Sequence, residues 1–410
     1  MTIEYYPADP IRDIRNKRIF IETYGCTYNI ADSEKLEVIL RSQGCEITVD
    51  IEEAEAIILN TCIVVERTER EMRKRIAELN RREMYITGCL PKVYGACGGM
   101  VIDPEAIHSH FRASGQHSSG GVAAIQIAQG CTGQCTYCIT KQARGALVSY
   151  SQEEIVRQVK GRIQNGATEI QLTAQDVSAW GIDQEGGNLA NLLDAICTVP
   201  GQYRIRIGMM NPDTIHPMLD RLLHACRNER IFLFFHIPIQ SGSDTILKKM
   251  GRSYIRDDVI SIVSAIRDTF PYARISTDII CGFPGESEED FDKTLDLIRT
   301  IRPEKINITR YSQRPGTPAA DMHDMPDRFK KARSRKATFL AREIFSDIYE
   351  GFMGTEMDVI VTEVVKKGSV TTRDASYRPV IFMESLPIGS THRIRVTGHR
   401  THYLIGERVA

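Results

Sequence analysis

Gln129-Gly130-Cys131-Thr132-Gly133-Gln134-Cys135-Thr136-Tyr137-Cys138 sets three cysteines at C-x3-C-x2-C spacing in a loop punctuated by glycine. Three thiolates this close can ligate three irons of a [4Fe–4S] cube and leave the fourth iron without a protein ligand. Such clusters ordinarily take four cysteines. A three-cysteine site therefore keeps one coordination position open for a substrate or cofactor. The alternatives are a zinc site short of one ligand, since zinc usually pairs C-x2-C units with a fourth donor, or three unrelated core cysteines.

Working outward, the loop follows a strand at 123–128 and opens an alternation of strands and helices that runs to about Phe345. Further strands are predicted at 168–173, 203–208, 231–237, 274–280 and 305–311. The helices between them carry start signals, such as Ser151-x-x-Glu154 and Ser287 ahead of an acidic turn. Phe291, Leu295 and Ile298 mark one buried helix face. Six strand–helix units predict a partial (β/α)6 barrel with its chemistry at the C-terminal ends of the strands. Upstream, a strand over Arg18–Glu22, a helix over Ala31–Ser42, a strand over Ala56–Asn60, a charged helix over 66–82 and a strand over Met84–Thr87 predict an α/β open parallel sheet. The polar stretch 113–121 reads as a linker. Beyond 351 the helical period disappears, and runs such as Met357–Thr362 and His392–Val396 predict a small β-barrel. The chain thus divides into 17–112, 122–348 and 351–410.

Composition sets the surroundings. A chain of 410 residues calls for two or three domains. The formal net charge of −1 excludes a global bias toward nucleic acid, so any such contact needs a local patch. Eleven unevenly spaced cysteines and an N-terminus with no basic-then-apolar leader point to a reducing cytoplasm, where thiols serve metals rather than disulfides. No apolar run is long enough to span a bilayer, so no membrane is expected.

A second constellation lies upstream. Cys26 follows one predicted strand, Cys62 ends the next in Asn60-Thr61-Cys62, and Cys89 ends a third in Thr87-Gly88-Cys89. Successive strand ends of a parallel sheet point into one crevice, so these three thiols form a second candidate metal site with one vacant iron. Buried cysteine is a common core residue and is the alternative for any one of them alone. Cys97 is a rival for the third place.

Both triads, in this order and with a β-rich tail, resemble the radical S-adenosylmethionine (AdoMet) methylthiotransferases. The likeness rests on Tyr24-Gly25-Cys26, Asn60-Thr61-Cys62, Thr87-Gly88-Cys89 and the 129–138 loop. It extends to Leu172–Asp176, Ile239–Ser243 with Lys249-Met250-x-Arg252, Asp278–Glu286 and Arg314-Pro315-Gly316-Thr317. Lys141, Ala143-Arg144-Gly145 and Arg206–Pro212 are similar to the archaeal and eukaryotic branch, which acts on N6-threonylcarbamoyladenosine beside the tRNA anticodon. The resemblance implies two [4Fe–4S] clusters, the second held by Cys26, Cys62 and Cys89, and a tail that is an RNA-binding TRAM domain. It further implies that AdoMet binds the open iron of the Cys131/Cys135/Cys138 cluster, with Gln175, Gln240, Ser241, Gly282 and Phe283 around it. One AdoMet would methylate a sulfur on the second cluster, and another would yield the radical that takes hydrogen from C2 of the adenine. An electron donor such as a ferredoxin or flavodoxin and a sulfur donor are implied as partners.

For RNA, the run Arg328–Arg342 holds seven Lys or Arg and no Asp or Glu. Lys330, Lys331, Arg335 and Lys336 there, and Arg393, Arg395 and Arg400 in the tail, are the candidate phosphate contacts. A solvated helix face is the plain alternative for the run. Two other functions fit the residues: methylthiolation of another tRNA adenosine or of a ribosomal-protein side chain, and a non-catalytic, cluster-containing RNA-binding protein.

Overall fold

The computed structural model describes residues 9–95, 97–114, 121–366 and 368–409. The N-terminal sheet contains β1 (Arg18–Thr23), β2 (Glu46–Thr48), β3 (Ala56–Thr61), β4 (Met84–Gly88) and β5 (Met100–Val101), all parallel, in the order β2-β1-β3-β4-β5. The central β3 is buried at every position, as a parallel strand covered on both faces must be. Helices α1 (Thr27–Ser42), α2 (Glu66–Leu79), α3 (Cys89–Tyr94) and α4 (Pro104–Ser114) connect and follow the strands. The short β2 and β5 lack a readable pattern of their own and were not predicted. Helix α1 begins four residues before its predicted start. Gly25 turns the chain at φ 102° and the Asn29 amide donates to the carbonyls of Tyr24 and Thr61, which pins the first turn beside Cys26. The predicted linker falls largely on 115–120, outside the described residues.

The central layer begins with β6 (Val122–Gln126) and a small antiparallel pair, β7 (Ala128–Gln129) and β8 (Val148–Ser149), which brackets the cysteine loop and the helix α5 (Thr140–Arg144). Then come β9 (Glu169–Thr173), β10 (Arg204–Ile207), β11 (Phe234–His236), β12 (Arg274–Cys281) and β13 (Lys305–Arg310). All six predicted strands are present. They form two three-stranded parallel sheets, β10-β9-β6 and β11-β12-β13, joined by single bridges at Ile205–Ile231 and Met209–His236. The join is loose because β11 is only three residues long. Outward residues such as Ile170, Leu172, Ile205, Ile207, Ile275 and Ile279 pack under the helices in the largest core.

The helix Asp327–Glu350 lies along β13 and leads into the tail. There β14 (Glu356–Lys366), β15 (Ser369–Arg373), β16 (Pro379–Phe382), β17 (Thr391–Arg400) and β18 (Tyr403–Arg408) close a barrel in the order β14-β15-β16-β18-β17. Its β15–β16 turn docks under the central barrel. Arg378 makes paired bonds of 2.7 Å to Glu304, and the Tyr377 hydroxyl donates to Glu169 at 2.6 Å. Among the described residues no helix is long and apolar enough to cross a membrane.

Candidate functional site

The 131–138 loop lies at the C-terminal rim of the central strands and is tied down by backbone. The Thr136 N–H donates to the Met250 carbonyl at 2.9 Å, and its own carbonyl accepts from Ala319 at 2.9 Å. Gly251, at φ 72°, lets the loop pass at close range: a Cβ there would sit 2.6 Å from the Gln134 oxygen. The Lys141 ammonium donates to the Gly133 carbonyl at 2.8 Å, and the Gly133 N–H donates to the Cys131 sulfur at 3.2 Å. Gly133 thus lies between the Cys131 and Cys135 sulfurs with no side chain to fill the space.

A buried polar relay supports the loop from below. The Asp176 carboxylate accepts from Ser178, Thr214 and both the backbone and side chain of Asn211. The Asn211 oxygen accepts from Arg252 at 2.9 Å, and Arg252 donates again to the Tyr137 hydroxyl at 2.9 Å. Burial pushes the Cys131 thiol up to about 11, with the Gly133 N–H opposing the rise. Binding of a cluster would release the proton of each ligating thiol to solvent as the sulfur takes iron.

Of the candidate AdoMet residues, Gln175 accepts from the Gly130 N–H at 2.7 Å, directly beside the loop. Gln240 is held at φ 70° and bridges to Ile279 at the strand ends. Gly282 takes φ 75°, and its N–H donates to Glu286 at 2.9 Å. One expectation changes. Ser241 is fully buried, its hydroxyl engaged by Thr294 and by the Ser243 N–H, so it shapes the turn and offers no free hydroxyl. The Phe283 side chain is also fully buried, edge-on to both Tyr137 and Tyr311, and supports the loop through packing, which leaves the backbone of the 282–285 turn as the part expected to approach a ligand.

The upstream triad is assembled from three strand ends. Cys62 and Cys89 are buried and Cys26 is exposed at the head of α1. A Cβ on Gly25 would lie 2.7 Å from the Cys62 sulfur, so glycine is required there. Burial pushes Cys62 up to about 11, and Cys26 and Cys89 add to the rise as near neighbours. Cys97 lies apart, its thiol on the Gly95 carbonyl at 3.1 Å and its charged neighbours Arg73 and Glu69.

Arg144 was singled out in the sequence only for its likeness to one branch, and the structure makes it a site residue. It ends α5, six residues beyond Cys138, and α5 packs on α3, which starts at Cys89. Its guanidinium donates to Asn29 at 2.9 Å and to Asp32 at 3.1 Å, lies over the Tyr28 ring at 4.6 Å, and faces Cys89. Its Nε and Nη1 are buried without partners. Buried donors left open beside three thiols fit a sulfur-rich group. Among the described residues no three metal-binding side chains converge as around a single ion.

The basic run divides in two. Lys330 and Arg333 turn inward: Lys330 packs against Gly282 and donates to Asp324 at 2.7 Å and to the Tyr311 carbonyl at 3.1 Å, while Arg333 pairs with Glu286. Lys330 is therefore a support of the 282 turn and not a phosphate contact. Lys331 and Arg335 face solvent with Arg328, Arg342 and the exposed rings of Phe329 and Phe339, whereas Lys336 is tied to Glu288 at 2.8 Å. In the tail, Arg395 pairs with Glu356 at 2.8 Å and Arg393 with Asp358 at 3.3 Å, and Arg400 stands at the end of β17. Exposed pairs of this kind contribute little to stability and exchange readily for phosphate.

Comparison with known proteins shows the family. Residues 125–298 match the radical SAM superfamily, and 18–119 match the family described as uncharacterized protein family UPF0004. A probable threonylcarbamoyladenosine tRNA methylthiotransferase of Archaeoglobus fulgidus is 38% identical over 96% of this chain and 99% of its own length. The threonylcarbamoyladenosine tRNA methylthiotransferase of Drosophila melanogaster is 32% identical over 95% of this chain and 77% of its own. Among solved structures, the radical S-adenosylmethionine methyltransferase TsrM of Kitasatospora setae, with cobalamin and a [4Fe-4S] cluster bound, superposes with a TM-score of 0.53 at 14% identity. It covers 74% of this chain and 77% of that one, a likeness of fold.

Proposed function

The chain belongs to the threonylcarbamoyladenosine tRNA methylthiotransferase family, and from that premise we propose that it places a methylthio group on C2 of N6-threonylcarbamoyladenosine beside the anticodon of tRNA. Two [4Fe–4S] clusters and AdoMet, when bound, supply the one-electron chemistry that an unactivated aromatic C–H requires at neutral pH. Cys131, Cys135 and Cys138 would hold one cluster and Cys26, Cys62 and Cys89 the other. The protein's own part is to fix distances and exclude water. Lys141 and the Asp176–Asn211–Arg252–Tyr137 relay hold the first loop in place, and Gln175, Gln240 and the 282 turn border the AdoMet position. Arg144 carries the rigid link from the first triad to the second. Lys331, Arg335, Arg393, Arg395 and Arg400 would meet tRNA phosphates. Electrons and sulfur would come from separate donors, and the setting would be the cytosol.

The observation that carries this reading is the pair of three-cysteine sites joined through α5. Incubating the anaerobically reconstituted protein with threonylcarbamoylated tRNA, AdoMet, a reductant and a sulfide source should give the 2-methylthio nucleoside by mass spectrometry. If 5′-deoxyadenosine forms and no tRNA nucleoside changes mass, the substrate assignment fails.

A further inference from the structure

The inside of the central barrel is not packed like a barrel core. Closed (β/α) barrels fill the lumen with bulky branched side chains. Here the inward positions, read across the registered strands, are Gln171 and Arg206, then His236 and Ser276, then Asp278 and Asn307. They bond between neighbouring strands along the lumen wall: His236 Nε2 to Asp278 at 2.8 Å, Asn307 to Asp278 at 2.7 Å, and Arg206 to Gln171 at a long 3.4 Å. His236 and Asp278 keep 18% and 25% of their side-chain surface exposed in mid-sheet, so the space is open. Tyr377 forms the floor, with Arg206 over its ring at 5.4 Å and Arg274 donating to its carbonyl at 2.7 Å.

Two features of this lumen lack an internal explanation. Buried polar atoms normally find partners, yet Arg206 Nε, Arg274 Nε, Ser276 Oγ and Glu169 Oε2 have none. Cations also crowd one another here. Burial lowers the Lys305 ammonium, and Arg274 and Arg206 lower it further, with Asp278 opposing. Of the carboxylates nearby, Asp278 is taken up by His236 and Asn307, Glu169 by Tyr377 and Gln171, and Glu304 and Asp374, which also act on Arg274, by Arg378. Crowded cations around open donors fit an anion that arrives with the substrate.

We propose that this lumen is the pocket for the threonylcarbamoyl arm of the substrate nucleoside, with Arg206 as the group that binds its carboxylate. The inference rests on the proposed function. The arm carries a carboxylate, a hydroxyl and urea N–H groups, the complement of Arg206, Ser276 and the Asp278–Asn307 pair. C2 and the arm-bearing C6 flank the same ring nitrogen of adenine. A base presenting C2 at the rim therefore directs its arm inward. An adenosine without the arm leaves Arg206 and Ser276 unsatisfied, the situation in which polar sites reject an analogue most strongly.

The test uses two anticodon stem-loop RNAs, identical except that one carries the threonylcarbamoyl arm, and a third in which the carboxylate is a carboxamide. With the holoenzyme, the carboxylate arm should improve kcat/KM at least tenfold over the amide arm, mostly through KM. Arg206→Met should erase that difference, and Arg206→Lys should restore part of it, at unchanged iron content. Equal use of carboxylate and amide arms by the unaltered enzyme would overturn the proposal without any variant. So would an Arg206→Met enzyme that keeps the preference. If the unaltered enzyme methylthiolates none of the three RNAs, the proposed function fails first, which is a distinct outcome.

Discussion

The two cysteine triads hold the same number of thiols but are built in opposite ways. Cys131, Cys135 and Cys138 come from one loop, and their mutual distances are set by eight residues of chain and a handful of backbone bonds. Cys26, Cys62 and Cys89 come from three strand ends, so their distances depend on the register of β1, β3 and β4 and on the turns at Gly25 and Gly88. A site made by a loop keeps its geometry as long as the loop is anchored. A site made by a sheet is only as good as the sheet's packing.

The largest expected effects separate the triads by chemistry. Full reconstitution should give about eight irons per chain, as two cubes require. Replacing Cys131, Cys135 and Cys138 with Ala should halve the iron and take AdoMet cleavage below detection. Replacing Cys26, Cys62 and Cys89 should also halve the iron, yet 5′-deoxyadenosine should still form while methylthiolation stops. Triple variants that lose both readouts together would mean that the two sites do not assemble independently.

A smaller effect tests how each triad is built. Gly25→Ala forces a side chain into the Cys62 thiol at φ 102°, a strain of about 1–3 kcal/mol, and should deplete iron from the upstream site selectively. Gly166 also has a left-handed φ, of 90°, but no neighbour within 4 Å. Gly166→Ala should therefore cost only about 1 kcal/mol of backbone strain and leave both iron sites full. Equal iron loss in the two variants would contradict the steric account of Gly25.

This contrast also explains what could be read from the sequence. The loop triad and the six central strands were legible because their signals are local: a fixed spacing, and runs of β-branched residues between caps. The upstream triad was legible only once its cysteines were seen to fall at strand ends. Ser241 and Lys330 were misjudged because their partners, Thr294 and Asp324 with the Tyr311 carbonyl, come from other elements or across a turn. Arg144 was hidden for the same reason, since its partners lie more than 100 residues away. The polar lumen did have a signal. Glu169 and Gln171, Arg204 and Arg206, Arg274, Ser276 and Asp278, and Lys305 and Asn307 recur at alternate positions of their strands, a period that marks one face.

Substrate delivery should act on both triads alike. Changing Lys331, Arg335 and Arg342 together to Glu should weaken tRNA binding and flatten the dependence of log affinity on log salt by about 0.7–0.9 per lost phosphate contact. Iron at both sites should stay constant. Lys330 is omitted because Lys330→Glu would disturb the Gly282 turn. Unaltered tRNA affinity across the salt range would leave the tail barrel as the sole RNA contact.

The smallest effect concerns the joint that carries the upstream triad against the barrel. His108 on α4 stacks on Tyr150 at 4.1 Å, and its Nδ1 lies 3.1 Å from the Lys35 ammonium, an arrangement that needs a neutral ring. Burial, reinforced by Lys35 and Arg112, holds His108 down at about 3, with the Glu154 carboxylate 3.5 Å away. An unfolded histidine titrates near 6.5. Below that value the unfolded chain binds a proton that the folded ring refuses. Stability present above about pH 6.5 is therefore lost as pH falls toward 3, by up to about 1.4 kcal/mol per unit. Thermal midpoints measured anaerobically from pH 7 to 4.5 should fall more steeply for the native chain than for His108→Gln. Iron loss over that range should begin at the upstream triad, because its strand ends depend on this joint. Identical pH profiles for the two proteins would remove His108 from the account of the joint.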